Sequence, residues 1–408
     1  MNNSDVGAIP DLGDPNLYVE SVPHDVFTQL RRDDPVYWNV EGDGRGFWAI
    51  TRYDDIFSIS RQPLVFSSAH ENGGHRIFDE NAVAVAGAGH EHMGIPFISR
   101  DPPTHQRFRT VVVPGLSPAR LQDMESRIAA RASALLDATP LDESVDILPA
   151  FAAPLPLLTL AELLGLPGEM WSKLFAWTNA LVGEDDEDMR PSADLLVEFI
   201  KFAEDLYRAR RAAPTDDIAS MLANAVINDE PMAMRDFVAT MVLVLVGGNE
   251  TTRNSIAHTI AAFAANPDQW ELLRRNRDLI PSAVREMVRY ASPVMHMRRT
   301  ATQDVELRGK TNKKGDRVLL WYPSGNRDEE KFDRPFAFDI ARGNTQHLGF
   351  GTGQHVCIGS RLAELQLRVT FGLLADRVKA FAVQRPPVRI RSNFINGLKS
   401  LHVEMQRG

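Results

Sequence analysis

Most apolar residues of this chain recur every three or four positions, the period of an amphipathic helix. This pattern predicts helices over residues 16–32, 53–60, 121–137, 159–164, 170–181, 195–211, 231–265 and 281–290, with further helices after Pro267 and from Cys357 to about Asp376. Shorter β-rich segments predict strands over residues 36–40, 47–51, 318–321, 388–395 and 401–405. The first two flank the turn E-G-D-G-R-G, which is typical of a hairpin. The predicted fold class is mainly α with a minor β portion.

The helix predicted over residues 231–265 is apolar on every side in its first half. A helix of this kind belongs in the core. Its longest apolar run, residues 237–248, is too short to cross a bilayer about 30 Å thick. The N-terminal residues are polar and acidic, so we expect neither a signal peptide nor a membrane anchor, and a cytoplasmic protein.

Two segments have no sustained period. Residues 68–98 are rich in Gly and His and predict a long loop, and a loop of that length in a compact domain is usually either functional or disordered. Its histidines, His70, His75, His90 and His92, are a candidate metal site, although their spacing matches no ligand motif. The consecutive acidic residues 184–188 predict a solvated connector.

The composition limits the classes of protein to consider. A chain of 408 residues has room for two or three domains, but no linker or repeat divides it, so one domain over residues 1–408 is predicted. A net charge of −9 argues against nucleic-acid binding. Because Cys357 is the only cysteine, the chain forms no internal disulfide and no multi-cysteine metal site.

Cys357 lies in the segment H-L-G-F-G-T-G-Q-H-V-C-I-G-S-R-L-A, directly before a predicted helix. A lone cysteine is most often an inert buried residue. Here the surrounding glycines indicate an unusual backbone or close packing against a flat object. The positive end of the following helix favours a thiolate, which is a suitable iron ligand.

Three further segments carry candidate chemistry. Gly247 and Gly248 lie inside the long apolar helix, where each costs about 1 kcal/mol relative to alanine. They make room either for a flat ring and a small ligand or for a close helix contact. His105 and Arg109 share a helix face and could clamp an anion or simply be exposed. Glu286 and Arg289 also share a face, as ordinary surface pairs do.

Together these segments resemble the cytochrome P450 family over almost the whole chain. The pattern F-x-x-G-x-x-x-C-x-G, filled by Phe350, Gly353, Cys357 and Gly359, is similar to its haem-ligand loop. The resemblance implies the cytochrome P450 fold, a triangular helix-rich body with small β-sheets. It also implies haem b as the cofactor, with Cys357 as the sulfur ligand to the iron.

The resemblance also implies roles for the other segments. Gly247 and Gly248 would adjoin the haem, Thr251 would hydrogen-bond dioxygen, and Glu250 would relay protons from solvent. Glu stands where Asp is more common, which leaves the relay geometry open. The haem propionates would be bound by His105, Arg109, Arg299 and His355, with Arg298 as an alternative to Arg299. Glu286 and Arg289 would form a buried fold signature with Arg342.

The implied activity is a monooxygenase that inserts one atom of O2 into a hydrophobic small molecule such as a terpenoid, steroid or fatty acid. An iron–sulfur ferredoxin and its reductase would supply electrons, docking on Arg107, Arg361 and Arg368 unless these are ordinary solvated arginines. The predicted pocket residues are Val244, Val294, His296 and Ile395, with His296 either a substrate anchor or a packing residue. The alternatives are a peroxide-driven hydroxylase, a haem-thiolate isomerase and a non-catalytic haem binder.

Overall fold

Helices form most of the computed structural model, which describes residues 9–83, 93–182, 185–189, 193–343 and 346–408. In chain order, the α-helices of this part are α1 (His24–Asp33), α2 (Tyr53–Ser60), α3 (Glu80–Val83), α4 (Thr104–Val112), α5 (Pro118–Ala138), α6 (Pro154–Leu163), α7 (Trp171–Val182), α8 (Ala193–Ala212), α9 (Ile218–Ala223), α10 (Met234–Ala265), α11 (Pro267–Arg275), α12 (Ile280–Ala291), α13 (Tyr322–Gly325) and α14 (Ser360–Arg377). Most of the predicted helices agree closely with these bounds.

The first predicted helix, over residues 16–32, is wrong in its N-terminal half. A 3-10 turn spans Pro15–Tyr18, and α1 begins only at His24. Pro23 stands at the N-cap of α1, and its missing N–H and fixed φ suit the residue that begins a helix. The apolar period therefore continues through a segment in which the helical conformation is interrupted.

The strands are short and form small sheets. They are β1 (Val36–Val40), β2 (Gly46–Ile50), β3 (Phe66–Ser67), β4 (Ser144–Asp146), β5 (Val226–Ile227), β6 (Glu230–Pro231), β7 (His296–Ala301), β8 (Val305–Leu307), β9 (Lys310–Asn312), β10 (Arg317–Trp321), β11 (Val378–Val383), β12 (Val388–Arg389), β13 (Leu398–Ser400) and β14 (His402–Arg407). The largest sheet has the order β1-β2-β10-β7-β3, in which only β2 and β10 run parallel. The predicted hairpin is confirmed, and so is a mainly α fold with a minor β portion.

The long helix α10 passes through the centre of the molecule. Its N-terminal half packs with α6, α7, α8 and α9 in one apolar cluster, which includes Phe237, Met241 and Leu245. Its C-terminal half packs with α12 and α14 in another, which includes Ile256 and Phe263. Residues 247–255 lie between the two clusters and carry buried polar side chains.

The two segments without a period differ in the structure. Described residues of the predicted loop include a 3-10 turn at His70–Asn72, the short α3 and another 3-10 turn at Phe97–Ser99. In the acidic segment, Glu184 lies outside the described residues. Asp186 is buried, accepts the N–H of Arg391 at 2.9 Å and pairs with Lys399 at 3.0 Å. A wholly solvated connector is therefore wrong at Asp186, because charged partners from the C-terminal region bury it.

Nowhere in the described part is a helix long and apolar enough to span a membrane. The organisation of residues 1–408 as one domain stays a prediction.

Candidate active site

The loop before α14 holds Cys357 in a fixed backbone conformation. The Cys357 N–H donates to the carbonyl of Phe350 at 2.8 Å, and the N–H of Val356 donates to Gly353 at 3.2 Å. Gly353 has a φ of +69°, and a Cβ there would lie 2.1 Å from the carbonyl oxygen of Ser60. Only glycine allows this loop to pack directly against the end of α2.

The Cys357 side chain is solvent-accessible, although protein atoms around the sulfur still desolvate it. This desolvation raises the pKa of the thiol, while the Gly359 N–H and the Arg109 guanidinium oppose the rise. A metal ion bound to the sulfur would deprotonate it outright. A Cβ on Gly359 would lie 3.9 Å from the sulfur, so glycine leaves this side of the thiol open.

Two histidine rings lie against each other near this loop, His105 of α4 and His355, with their centroids 4.0 Å apart and their planes tilted by 35°. Within the described part, Nδ1 of His105 and Nε2 of His355 are buried without a hydrogen-bond partner. Burial, followed by the charges of Arg109 and Arg299, lowers the pKa of His105 to about 4. Burial also lowers the pKa of His355, so both imidazoles are neutral near pH 7.

The adjacent arginines of β7 have different surroundings. Arg298 donates to the Asp79 carboxylate at 2.6 Å and to the carbonyls of Phe78 and Asn72 at 3.1 and 3.2 Å. Arg299 is 3% exposed, and its hydrogen bond goes to the carbonyl of Arg298 at 2.7 Å. Arg298 therefore anchors the 68–98 loop, and the geometry favours Arg299 for binding an anion.

Arg299, Arg109, His105 and His355 form a cluster that we call the cationic cluster. Arg109 donates to the carbonyl of Val356 at 2.8 Å. Across the described ranges, neither Arg109 nor Arg299 forms an ion pair with a carboxylate. Arg299 is buried, and a buried arginine normally has a charged partner, so this cluster fits a ligand that carries negative charge.

One stripe of α10 is accessible although most of the helix is buried. Gly247 is exposed, Val244 and Thr251 are half-buried, and a Cβ on Gly247 would meet no atom within 4 Å. A Cβ on Gly248 would instead lie 3.3 Å from Leu160 of α6. The two glycines therefore have different roles, because Gly247 borders open space and Gly248 allows close contact between α10 and α6.

Thr251 and Glu250 are neighbours in α10, but their side chains have separate partners. The Thr251 hydroxyl donates to the carbonyl of Gly247 at 2.7 Å. Glu250 is fully buried and forms an ion pair with Arg253, and its other carboxylate oxygen accepts from Asn249 at 3.1 Å. Burial raises the pKa of Glu250, and Arg253 opposes the rise.

The predicted pocket residues do not all have the same surroundings. Val294 and Ile395 pair across an isolated antiparallel bridge. His296 is fully buried, with its ring centroid 4.9 Å from that of Trp321 and 5.5 Å from that of Phe394. Burial lowers the pKa of His296 to about 3. This aromatic environment favours the packing interpretation, although neither ring nitrogen has a well-formed hydrogen bond within the described part.

Glu286 and Arg289 of α12 are both fully buried and form a two-fold hydrogen-bonded ion pair at 2.7 and 2.8 Å. Arg289 also donates to the carbonyls of Asn326, Pro335 and Ala337, and Arg342 pairs with Glu286 at 3.2 Å. This network joins α12 to the segment before the cysteine loop. Its position fits the structural role that the sequence predicted.

The three arginines predicted to dock a partner differ in their contacts. Arg368 pairs with Glu125 at 3.0 Å, and Arg107 donates to the side chain of Asn228. Arg361 is exposed and forms no ion pair within the described residues. The charge of Arg361 still acts on Glu364, where it opposes the rise in pKa that burial causes.

The alternative metal site in the loop has no support among the described residues. His90 and His92 lie outside them, and Nδ1 of His75 contacts Glu80 at 2.6 Å and Ser99 at 2.7 Å. No group of three metal-ligating side chains occurs in the ranges that the structure describes.

These features fit the haem that the resemblance implies. The accessible thiol of Cys357 could bind the iron, and the exposed Gly247 on α10 leaves room for a flat ring. The cationic cluster could bind the two carboxylates of the haem. Two residues of the site were not predicted from the sequence: Arg253, which pairs with Glu250, and Asn179, which accepts a hydrogen bond from Arg253. The spacing of Glu250 and Arg253, the same as that of Glu286 and Arg289, was the available signal.

The chain is similar to several known proteins. The family model Cytochrome P450 matches residues 160–401. Linalool 8-monooxygenase of Pseudomonas putida is 58% identical over 97% of this chain and 98% of that enzyme. Steroid C26-monooxygenase of Rhodococcus jostii is 35% identical over 97% of this chain and 84% of that enzyme. A solved Mycobacterium marinum cytochrome P450 in complex with pseudoionone matches with a TM-score of 0.88 and 31% identity, covering 99% of this chain and 100% of that one.

Proposed function

This chain belongs to the cytochrome P450 family, and from this membership we propose that it oxidises an acyclic terpenoid alcohol of the linalool type at a terminal methyl group. It is a monooxygenase of the group that acts on terpenoid-, steroid- or lipid-like molecules. One observation supports the narrower substrate, the 58% identity to linalool 8-monooxygenase along nearly the whole chain. A cytoplasmic location stays a prediction from the sequence.

The residues around the thiol would hold the cofactor, which we propose is haem b. When bound, the haem supplies the chemistry that inserts one atom of O2 into a C–H bond. Cys357 would hold it through sulfur, and the cationic cluster would bind its two carboxylates by charge-assisted hydrogen bonds. Gly247 keeps the facing surface of α10 free of side chains.

The polar residues of α10 would handle protons. The Thr251 hydroxyl lies on the accessible stripe and can hold a proton at Oγ1. Glu250 lies next to it in the helix and can take up and release a proton at its carboxylate. No hydrogen bond joins the two side chains in the described part, so transfer requires a bridging water or a rotation of Glu250. The presence of both groups supports an oxygen-dependent enzyme over a peroxide-driven one.

The substrate proposal is tested by titrating the haem-loaded enzyme with linalool, a steroid and a fatty acid. We expect linalool to shift the Soret band at the lowest concentration and to yield one product labelled from ¹⁸O2. A shift with the steroid alone would contradict the terpenoid proposal. Product formation that needs peroxide but no reductant would instead favour the peroxide-driven hydroxylase. Turnover that needs neither peroxide nor reductant would favour the isomerase. Haem binding without any turnover would favour a non-catalytic haem binder.

A hydroxyl-bearing substrate raises the question of a polar anchor, for which His296 stays a candidate. Both of its ring nitrogens are buried without a well-formed hydrogen bond. If His296 binds the substrate hydroxyl, His296→Ala should weaken linalool binding about tenfold, the loss of a buried hydrogen bond. Equal affinity in both proteins would leave His296 as a packing residue.

We further propose that electrons come from an iron–sulfur ferredoxin with its reductase. The surface near the cysteine loop carries exposed Val113 and Val356 beside a depression of about 440 Å³, lined in part by Arg109 and Gln354. Arg361→Glu should slow ferredoxin-driven turnover several-fold, because charges at the rim of an interface govern association. Arg368→Glu should have a smaller effect, since Glu125 already offsets Arg368. Equal turnover in Arg361→Glu and wild type would remove Arg361 from the docking surface.

A further inference from the structure

The charged neighbour of Glu250 is itself held by a different helix. Arg253 pairs with Glu250, donates to the Asn179 side chain of α7 at 2.9 Å, and lies over the Phe175 ring at 5.5 Å. Arg253 is 3% exposed and Glu250 is fully buried. The ion pair within α10 is therefore also a contact between α10 and α7.

A second contact joins the same carboxylate to α7. The Asn249 amide donates to Thr178 Oγ1 at 3.0 Å and to the second oxygen of Glu250 at 3.1 Å. Each carboxylate oxygen of Glu250 is therefore held by a side chain that also contacts α7. A movement of α7 would change both contacts at once.

The charge of Glu250 depends on this arrangement. A fully buried carboxylate favours its neutral form, and a paired cation opposes this. Arg253 is the only charged group of the described part that acts on Glu250. The polar residues that face the pair from α7, Thr178 and Asn179, do not titrate. Removing Arg253 therefore leaves burial unopposed.

Two atoms of this group lack partners within the described part. They are Nε of Arg253 and Oδ1 of Asn249, and both are buried. The group also adjoins the accessible stripe that carries Gly247 and Thr251. A side-chain group that is incompletely bonded and borders the site is better suited to change its arrangement than a saturated one.

We propose that Arg253 is a positioning residue, anchored by Asn179, which keeps the Glu250 carboxylate charged and turned toward α7. The position of α7 then sets both the charge and the direction of this acid. The proposal rests on the proposed function only in that Glu250 serves proton delivery. The charge of Glu250 can be measured without turnover.

Infrared difference spectroscopy of the haem-loaded enzyme during a pH titration measures that charge directly. The protonated carboxyl stretch that is lost in Glu250→Gln identifies the Glu250 signal. We expect Arg253→Met to raise the midpoint of this signal by about one pH unit or more. Arg253→Lys should restore most of the wild-type value, and Asn179→Ala should cause a smaller shift in the same direction.

Arg274→Met is the matched control, because Arg274 forms an i,i+3 pair with Glu271 that is partly exposed and lies on a different helix. It should leave the Glu250 midpoint unchanged. In turnover, the pH profile of kcat should shift with the infrared midpoint in Arg253→Met, while KM for linalool stays the same. A wild-type midpoint in Arg253→Met, or no rescue by lysine, would overturn the proposal. Unchanged turnover in Glu250→Gln would instead refute the proton role of Glu250, whatever the midpoints.

Discussion

The molecule contains two buried Glu–Arg pairs with the same i,i+3 spacing, and their surroundings differ. Arg289 of α12 donates to both oxygens of Glu286 and to three backbone carbonyls, and Arg342 adds a second cation. Arg253 of α10 donates to one oxygen of Glu250 and to one side-chain amide, and its Nε has no partner in the described part. The Glu286–Arg289 pair is saturated, meaning that all of its hydrogen-bonding groups have partners, and the Glu250–Arg253 pair is not.

This difference separates a structural pair from one that can change. The Glu286–Arg289 network joins several segments of the chain. Removal of any of its members would leave several buried polar groups without a hydrogen-bond partner. The Glu250–Arg253 pair has fewer groups to leave unpaired and adjoins the accessible stripe of α10 that carries Gly247 and Thr251. The same spacing on a helix therefore supports two roles, and the partners outside the helix decide which.

The largest expected effect comes from Arg289→Lys. Lysine cannot reproduce the planar set of donors, so several buried acceptors lose their hydrogen bonds. We expect the free energy of unfolding to fall by about 3–5 kcal/mol and the yield of haem-loaded protein to fall with it. Denaturant unfolding followed by circular dichroism measures this change.

Arg208→Lys in the exposed i,i+3 pair of Asp205 and Arg208 is the control for that substitution, with an expected change below about 0.5 kcal/mol. If Arg289→Lys unfolds at the wild-type denaturant concentration, the network does not stabilise the fold.

The second pair should respond chiefly in activity, with a smaller effect on stability. Glu250→Gln keeps the shape and removes the exchangeable charge, so we expect kcat to fall about 100-fold, the typical contribution of a positioned acid or base. Substrate binding, measured by the Soret shift, should stay at its wild-type value. A kcat equal to that of the wild type would remove Glu250 from proton delivery.

The spacing of apolar residues along the sequence predicted most of the helices and the first hairpin. This was possible because the apolar face of a helix or strand is determined by residues that are near one another in the chain. The α2 helix, the first hairpin and the cysteine loop all follow from neighbouring residues. Contacts between distant residues were not predictable in this way. Asp79 forms an ion pair with Arg298, which leaves Arg299 for the cationic cluster, and Lys399 forms an ion pair with the buried Asp186. In both pairs the two residues are about two hundred positions apart in the chain. Likewise, spacing alone could not show that Asn179 anchors Arg253.

An asparagine beside each pair offers a finer test. Asn326 donates to Ser292 at 2.8 Å and accepts from the Leu348 N–H at 2.6 Å, whereas Oδ1 of Asn249 has no partner in the described part. Asn326→Ala should lower the free energy of unfolding by about 2 kcal/mol, and Asn249→Ala by about 1 kcal/mol or less. Equal losses, measured by denaturant unfolding, would show that the two networks are equally saturated.

The smallest expected effect is the pH dependence of stability. Burial holds the pKa of Glu250 above the ordinary value of 4.5 in the folded protein, so the folded state binds this proton more tightly than the unfolded state. The resulting stabilisation is fully present below about pH 4.5 and is lost as the pH rises through the folded pKa. Glu250→Gln lacks this proton, so the wild-type free energy of unfolding minus that of the variant should fall as the pH rises above 4.5.

Glu271→Gln should show a weak opposite trend, because hydrogen bonding from Arg275 lowers the pKa of Glu271. A difference between wild type and Glu250→Gln that does not vary with pH would mean that Arg253 offsets the burial of Glu250 completely, which would make this pair as balanced as a saturated one.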